Sequence, residues 1–343
     1  MRAQLLNSGP RLTMNHALDP TRRRLLQAAS ALLAPAALNA RAAGDIAGGK
    51  PITLLVSYPA GGGADVMARL VAPHLADALG QPVLVENKPG ASGTIAAAQV
   101  ARATPDGSML LLDASSFAVN PSLFDKLPYD SATAFTPLGV LALFPNVLVC
   151  TPSFEARSLA DVLRLARAQP NRLAYASSGN GSAQHLAGAL FEAMAKVELT
   201  HVPYRGGGPA LNDVMGGQVP LFFANVASSL GHIQSGRLRP LAVTSRLRSR
   251  VLPELPSMDE AGLKGYEVLE WNPVLAPAGL PATVQARLSA ALTRAMADPE
   301  VLGRVRALGG EVFNGNGAQA RAFLKAQQLQ WASVVRERRI TRD

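Results

Sequence analysis

A chain of 343 residues has room for two ordinary domains, each with its own core. With 48% apolar and 17% charged side chains the composition is globular, which excludes a disordered or fibrous chain, and 5% aromatics are too few for a surface that stacks sugars or bases. The formal charge of +9 gathers at the ends: residues 1–42 carry six arginines against one acid, Asp19, and Arg336, Arg338, Arg339 and Arg342 crowd the C-terminus. A solvated basic tail explains that excess. No nucleic-acid motif accompanies it, and the moderately basic remainder can steer small anions.

The N-terminus reads as an export signal over residues 1–42. Arg22-Arg23-Arg24 precedes a short apolar stretch to Leu38, and Ala40-Arg41-Ala42 supplies a small-x-small cleavage site. The apolar run is shorter than the roughly 20 residues that cross a bilayer. Paired arginines before it resemble the twin-arginine type, and the general secretory route fits the same start. A cleaved, periplasmic product is expected. Cys150, the one cysteine, cannot form an intramolecular disulfide, and its apolar run Asn146 to Cys150 marks it as a buried structural thiol.

Beyond the leader, strand-like and helix-like segments alternate. Ile52 to Ser57 reads as a buried strand, and Asp65 to Leu79 as a helix stopped by Gly80 and kinked or shortened by Pro73. Val83 to Glu86 is a strand, Thr94 to Arg102 a helix and Met109 to Asp113 a strand. This order indicates a parallel sheet with helices on its faces. The run Asn146 to Thr151 is a further strand, and Ser158-Leu159-Ala160-Asp161 opens a capped helix to Ala168. Leu173 to Ser177, Thr200 to Pro203, Leu221 to Ala224 and Leu238 to Thr244 read as strands. Between them lie helices over Ser182 to Ala195, Pro209 to Met215 and Val226 to Gln234. After a strand over Trp271 to Pro277 come helices at 281–297, 299–308 and 318–337, with a short strand at Glu311 to Phe313; lacking a sheet of their own, these helices should cover the first one. The pattern predicts an α/β protein of two lobes, residues 43–146 plus 270–343 and residues 147–269. Two crossings, near Phe144–Val149 and Val268–Ala276, would form a hinge.

The informative positions are glycine-rich turns between a strand and a helix. Tyr58-Pro59-Ala60-Gly61-Gly62-Gly63-Ala64-Asp65 would expose successive backbone N–H groups at the positive end of a helix, a seat for an anion such as carboxylate. No Lys-Ser or Lys-Thr pair closes it, so the phosphate-loop pattern fails, and so does the dinucleotide spacing. A tight turn with glycines serving geometry alone is the plain alternative. Ser177-Ser178-Gly179-Asn180-Gly181-Ser182 holds the same position in the other lobe, with His185 one turn into its helix. Tyr204-Arg205-Gly206-Gly207-Gly208 adds a third turn, where Arg205 is either a carboxylate partner or a solvated surface charge. Lobes closing face to face would bring these turns to one ligand.

Enzymatic readings find little support. Gly90-Ala91-Ser92-Gly93 and Gly179-Asn180-Gly181-Ser182 both miss the nucleophile-elbow spacing. His185 could serve Ser177 or Ser182 as a base, making a hydrolase, yet no acid is placed by the sequence to orient it. His74, His185, His201 and His232 include no pair spaced as metal ligands. Neither a metal nor a cofactor is expected.

Taken together, the segments resemble the Bug-type (tripartite tricarboxylate transporter) extracytoplasmic solute-binding receptors along the mature length. The resemblance rests on Lys50-Pro51-Ile52 through Asp65, Gly80 to Ala91, Pro105-Asp106-Gly107, Asn120 to Leu123, Leu127 to Asp130, and Gly179 to Ser182 with His185 to Gly188. It continues through His201 to Gly206, Gly216 to Val219, Leu241 to Thr244 and Ala276 to Gly279, in order and at the family's spacing. It implies a type II periplasmic-binding-protein fold that closes on its ligand, the loops Tyr58 to Asp65 and Ser177 to Ser182 gripping a carboxylate partly through water. Ser115 and Ser116 would line the cleft from the first lobe. The implied role is a monomeric receptor for a small organic acid, serving a two-component membrane permease or, alternatively, a sensor kinase. Two positions depart from the family. Ala224-Asn225 stands where an aspartate commonly precedes the asparagine, which favours a plain organic acid over an amino acid. Asn272-Pro273 replaces an aromatic-glycine pair after Trp271 and alters the cleft wall. Silent variation at supporting positions would account for both departures equally.

Overall fold

The computed structural model describes residues 46–337, 340 and 341. The export signal and Arg338, Arg339 and Arg342 lie outside them. Among the described residues no helix is long and apolar enough to cross a membrane.

The chain opens with β1 (Ile52–Val56), α1 (Gly63–Leu79), β2 (Val83–Asn87), α2 (Thr94–Ala101), β3 (Met109–Leu112) and α3 (Ser116–Leu123). β1 pairs in parallel with β2 and β3, as the β-α-β-α-β order requires. α1 runs through Pro73 without interruption and stops at Gly80, whose N–H bonds the Ala76 carbonyl from a left-handed conformation (φ 70°). Burial of Val71, Leu75 and Leu79 on either side of the proline holds the helix together. α3 was not legible in the sequence, because Asn120 and Pro121 sit inside it and read as a turn.

β4 (Phe135–Cys150, 16 residues) follows, more than twice as long as the strand expected over Asn146 to Thr151. Pro137, Gly139 and Pro145 punctuate its first half, and two register shifts against its partner accommodate part of that irregularity. Next come α4 (Leu159–Ala168), β5 (Ala174–Ser177), α5 (Ala183–Ala195), β6 (Thr200–Pro203), α6 (Gly207–Met215), β7 (Leu221–Asn225), α7 (Val226–Gln234) and β8 (Arg239–Val243). The chain returns through β9 (Leu269–Pro277) to α8 (Ala282–Ala297), α9 (Pro299–Ala307), β10 (Glu311–Val312) and α10 (Gly317–Glu337).

The strands form two sheets that share β4. Phe135 to Pro145 pair with β9, which also pairs with β3, so the first lobe reads β2-β1-β3-β9-β4 with β10 on the far edge of β4. Asn146 to Cys150 pair with β7 on one edge and β8 on the other, and β5 and β6 extend the second lobe in parallel. α8 and α9 cover the first sheet, as expected, with Leu288, Leu292, Val301 and Val305 in one core with α1 and β1. The terminal helix does not stay with them. Ala320 and Leu324 of α10 pack against Phe135 and Trp271, while Trp331 and Val335 enter the core of the second lobe beside Leu148, Phe191 and Tyr266. The apolar stripe of α10 is long enough to serve both cores. Cys150 is buried, matching its apolar surroundings.

At the crossing, Thr244 ties the two passages of chain together. Its Oγ1 accepts from Asn146 N–H (2.7 Å) and donates to the Val268 carbonyl (2.6 Å), and its own N–H reaches the Asn146 carbonyl (2.9 Å). All three residues are buried. The variant Thr244→Val preserves shape and leaves two buried backbone groups unpaired, so it should cost about 1–3 kcal/mol in denaturant unfolding. Thr244→Ser should recover most of it.

Candidate functional site

The first glycine turn is held by Asp65. Its carboxylate accepts from Gly61 N–H (3.1 Å), from Arg69 Nε (3.0 and 3.1 Å) and from Asn87 Nδ2 (3.0 Å), while the Asn87 amide also binds the Tyr58 carbonyl (2.9 Å). These donors, Arg69 first, outweigh burial and hold the Asp65 carboxyl below its ordinary range. The turn is thereby fixed so that α1 begins at Gly63, and the first-turn N–H groups of Gly63 and Ala64 have no intrahelical acceptor. Tyr58 turns inward, donating to Ser116 Oγ (2.9 Å), and its phenol is kept firmly protonated by burial and by Asp113.

The second turn is fixed by a different device. Ser177 Oγ accepts from Gly179 N–H (3.1 Å) and lies 2.7 Å from His201 Nε2. Gly181 N–H donates to His185 Nδ1 (3.1 Å), and the two imidazoles stack in parallel at 3.9 Å. Burial drives His185 down to about 4, and burial plus the neighbouring His185 drives His201 to about 3, so both rings are neutral acceptors at ordinary pH. Ser182 caps α5 by accepting from His185 N–H (3.3 Å), which leaves Ala183 and Gln184 with first-turn N–H groups at the helix end.

Between the turns is a narrow space of about 20 Å³, room for roughly one water-sized group. Four helices begin at its wall: α1 through Gly63 and Ala64, α5 through Ser182 to Gln184, α6 through Gly207, and α7 through Asn225 and Ser228. Each helix start carries about half a positive charge. Tyr58 and Ser178 also line a wider outer cleft of about 630 Å³, together with the turn at Pro89 to Gly93, Asn180 and Arg205. The lobes meet across it. Ser92 Oγ donates to the Asn180 carbonyl, a Cβ on Gly206 would lie 2.3 Å from Pro59 Cγ, and one on Gly181 would lie 2.3 Å from Leu123 Cδ1. Glycine at 206 and 181 is what allows this approach, and both have positive φ (127° and 74°).

The chain matches the TctC family, described as tripartite tricarboxylate transporter family receptor, over residues 67–340. It belongs to that family. Among solved structures it is similar to the periplasmic binding protein BugD, at 36% identity over 86% of this chain and 99% of BugD, with a TM-score of 0.83. It is also similar to Rpa4515 of R. palustris, solved with adipate (35% identity, 85% and 98% coverage, TM-score 0.82). A third is MatC from Rhodopseudomonas palustris with bound malate (31% identity, 83% and 99% coverage, TM-score 0.79). The type II periplasmic-binding fold expected from the sequence is the fold of this receptor.

Within the receptor, Tyr58, Gly62, Gly63, Ala64, Ser178, Ser182 and Asn225 wall the inner space, and Gly179, Asn180, Tyr204 and Arg205 the outer cleft. The N–H groups of Gly61, Gly179 and Gly181 face their own lobe's acceptors instead. Ala60 is exposed at the rim. Asp65, Ser177 and His185 act on the loops from behind, and Ser115 and Ser116 are buried outside both linings. Ser177 is paired with His201 and not with His185, so the Ser-His pairing the sequence suggested is not the one formed. Sequence reasoning placed Gly207 in the third glycine turn and missed Ala114, Ala183, Gln184, Phe222, Ser228 and Glu270 in the inner wall. Gln184 and Ser228 follow from where α5 and α7 begin; nothing local marks Glu270. Among the described residues, His74, Asp298 and Glu300 form the one cluster with metal-ligand types, His74 on α1 standing 3.6 Å from Asp298, the cap of α9, and 4.0 Å from Glu300, outside both linings.

Two buried acids stand close to the receptor's inner space. Asp113 accepts from Ser57 Oγ (2.5 Å) and Ala114 N–H (2.8 Å), yet its other oxygen is buried unpaired, and burial pushes the group up to about 6. A raised carboxyl costs stability above its folded pKa, and that cost fades as pH falls toward the unfolded value of about 3.9. The advantage of Asp113→Asn over the parent in denaturant unfolding should therefore shrink by on the order of 2–3 kcal/mol between pH 8 and pH 4. A pH-independent difference would contradict the assignment.

Proposed function

We propose that this receptor is a periplasmic, non-enzymatic binding protein that captures a small organic acid between its lobes and delivers it to a two-part membrane permease. The lobes are taken as residues 43–146 plus 270–343 and residues 147–269. The observation that carries the reading is the convergence of the starts of α1, α5, α6 and α7 on one narrow space. Their main-chain amides supply positive potential without a fixed cation, the arrangement suited to a carboxylate that must be both held and released. Similar proteins solved with adipate and malate support the ligand class, and the family's description supports the transport role. The arginine-rich leader with its small-x-small site supports export. Against a hydrolase stand the complete burial of Ser177 and the helix-capping role of Ser182, neither of which presents an activated hydroxyl to the cleft.

Isothermal titration calorimetry of the mature protein against dicarboxylates, tricarboxylates and aromatic acids should find at least one tight binder, and silence across the panel would defeat the reading. Gly206→Ala, which drives a Cβ into Pro59 of the opposite lobe, should weaken that binding at least about tenfold. Its melting temperature without added acid should fall as well, because a φ of 127° strains any side chain at this position.

A further inference from the structure

Glu270 is an odd residue to find beside four helix starts. It lies on β9 next to the crossing, is 5% exposed, and lines the inner space that the glycine turns enclose. Gln184 Nε2, at the start of α5, donates to Glu270 Oε2 and also to Asn146 Oδ1 (3.1 Å). One carboxyl oxygen is thus engaged by a residue of the opposite lobe, and the other is left for the space in front. Asn225 stands on the same wall. Its Oδ1 is committed to capping α7 through Ala227 N–H (2.8 Å), which fixes which way the amide faces. Its Nδ2 is buried without a hydrogen-bond partner; it lies near enough to favour the charged form of Glu270 but lacks bonding geometry. The amide rests against Gly63, where a Cβ would sit 2.8 Å from Asn225 Nδ2, so it borders the start of α1 directly.

The wall therefore offers one unengaged donor and one available acceptor side by side, next to the helix starts that seat a carboxylate. We propose that Glu270 and Asn225 read the substituent beside the ligand's carboxylate and select a hydroxyl there. The inference rests on the receptor reading above and deepens it. A hydroxyl accepts one hydrogen bond and donates one, so it satisfies Asn225 Nδ2 and Glu270 together. An ammonium offers only donors and would meet Asn225 Nδ2 donor to donor. A bare methylene leaves both groups buried and unpaired, the situation in which a site discriminates most strongly. Burial holds the Glu270 carboxyl above its ordinary range, while the neighbouring Asn225 and Gln184 amides favour the ionised form, the one whose free oxygen accepts.

The test uses matched acids differing at one substituent: propionate, lactate and alanine; succinate, malate and aspartate; glutarate, 2-hydroxyglutarate and glutamate. Calorimetry on the mature protein should show the hydroxy acid binding at least about tenfold tighter than its unsubstituted and amino counterparts in any series that binds. In Glu270→Gln, the oxygen stays with Gln184 and the new NH2 faces the space, so the hydroxyl preference should fall to near unity. Asn225→Asp keeps the α7 cap while replacing the donor by an acceptor, and should move the preference toward the amino acid. Thermal melts of both variants establish that they fold; should one fail, the other decides. Equal affinity for hydroxy and unsubstituted acids, or a preference that survives the folded variants, overturns the proposal and leaves the receptor reading intact. Absence of binding in all three series, together with silence from the wider acid panel, overturns both; binding only from that wider panel, by acids without a hydroxyl beside the carboxylate, overturns this proposal alone.

Discussion

The site depends on one electrostatic arrangement, main-chain N–H groups at helix starts brought to a common point from two separate lobes. Arg205 is exposed in the outer cleft, and no basic side chain lines the inner space among the described residues. What faces that space is helix-start backbone, polar side chains such as Gln184 and Asn225, the rings of Tyr58 and Phe222, and one acid, Glu270. A fixed cation would hold an anion without regard to whether the lobes are open or closed. Amides divided between lobes give their full potential only when α1 on one side and α5, α6 and α7 on the other come together. On the proposed reading, affinity is in this way coupled to closure, which a capture-and-release receptor requires.

That coupling explains where the protein invests its polar side chains. Asp65, Asn87 and Arg69 line neither the inner space nor the outer cleft; they hold the first turn in shape. The stacked His185 and His201, with Ser177, do the same for the second turn, using neutral imidazoles whose low affinity for protons comes from burial. Neutral rings matter here. A protonated His185 could not accept from Gly181 N–H, and the turn would lose the bond that sets its curvature. The glycines complete the scheme, since Gly206 against Pro59 and Gly181 against Leu123 are contacts between lobes that no side chain could share.

Much of this was legible in the sequence, for identifiable reasons. The parallel βα units announce themselves through short apolar runs followed by glycine turns, and their helix starts fall within a residue or two of expectation because Ser158, Ser182 and Asn225 are caps with local chemistry. The first half of β4 was not legible, because Pro137, Gly139 and Pro145 break a pattern that only pairing with β9 sustains. The reach of α10 into the second core was equally hidden, since Trp331 continues the same stripe as Leu324 and nothing in the stripe says which lobe each turn will meet. Within the site, the glycine turns were found and their precise donors were not. Whether Gly61 N–H faces a ligand or Asp65 is decided by a contact four residues away that spacing alone does not reveal.

Glu270 shows the same limit in its sharpest form and also what it implies. In the sequence it falls just before the strand read over Trp271 to Pro277, and no local pattern singles it out. The sheet turns Glu270 inward at the crossing, opposite Gln184, where an acid would oppose every amide in the cleft were it charged and unpaired. An uncompensated carboxyl at that depth would be a pure loss to an anion receptor, and a leucine would pack there at lower cost. Its partner Gln184 comes from the other lobe, and its neighbour Asn225 keeps a buried donor beside it. The cost of burying that acid makes physical sense if the guest contributes the missing member of the network, so that closure around the right acid satisfies groups that closure alone leaves unpaired.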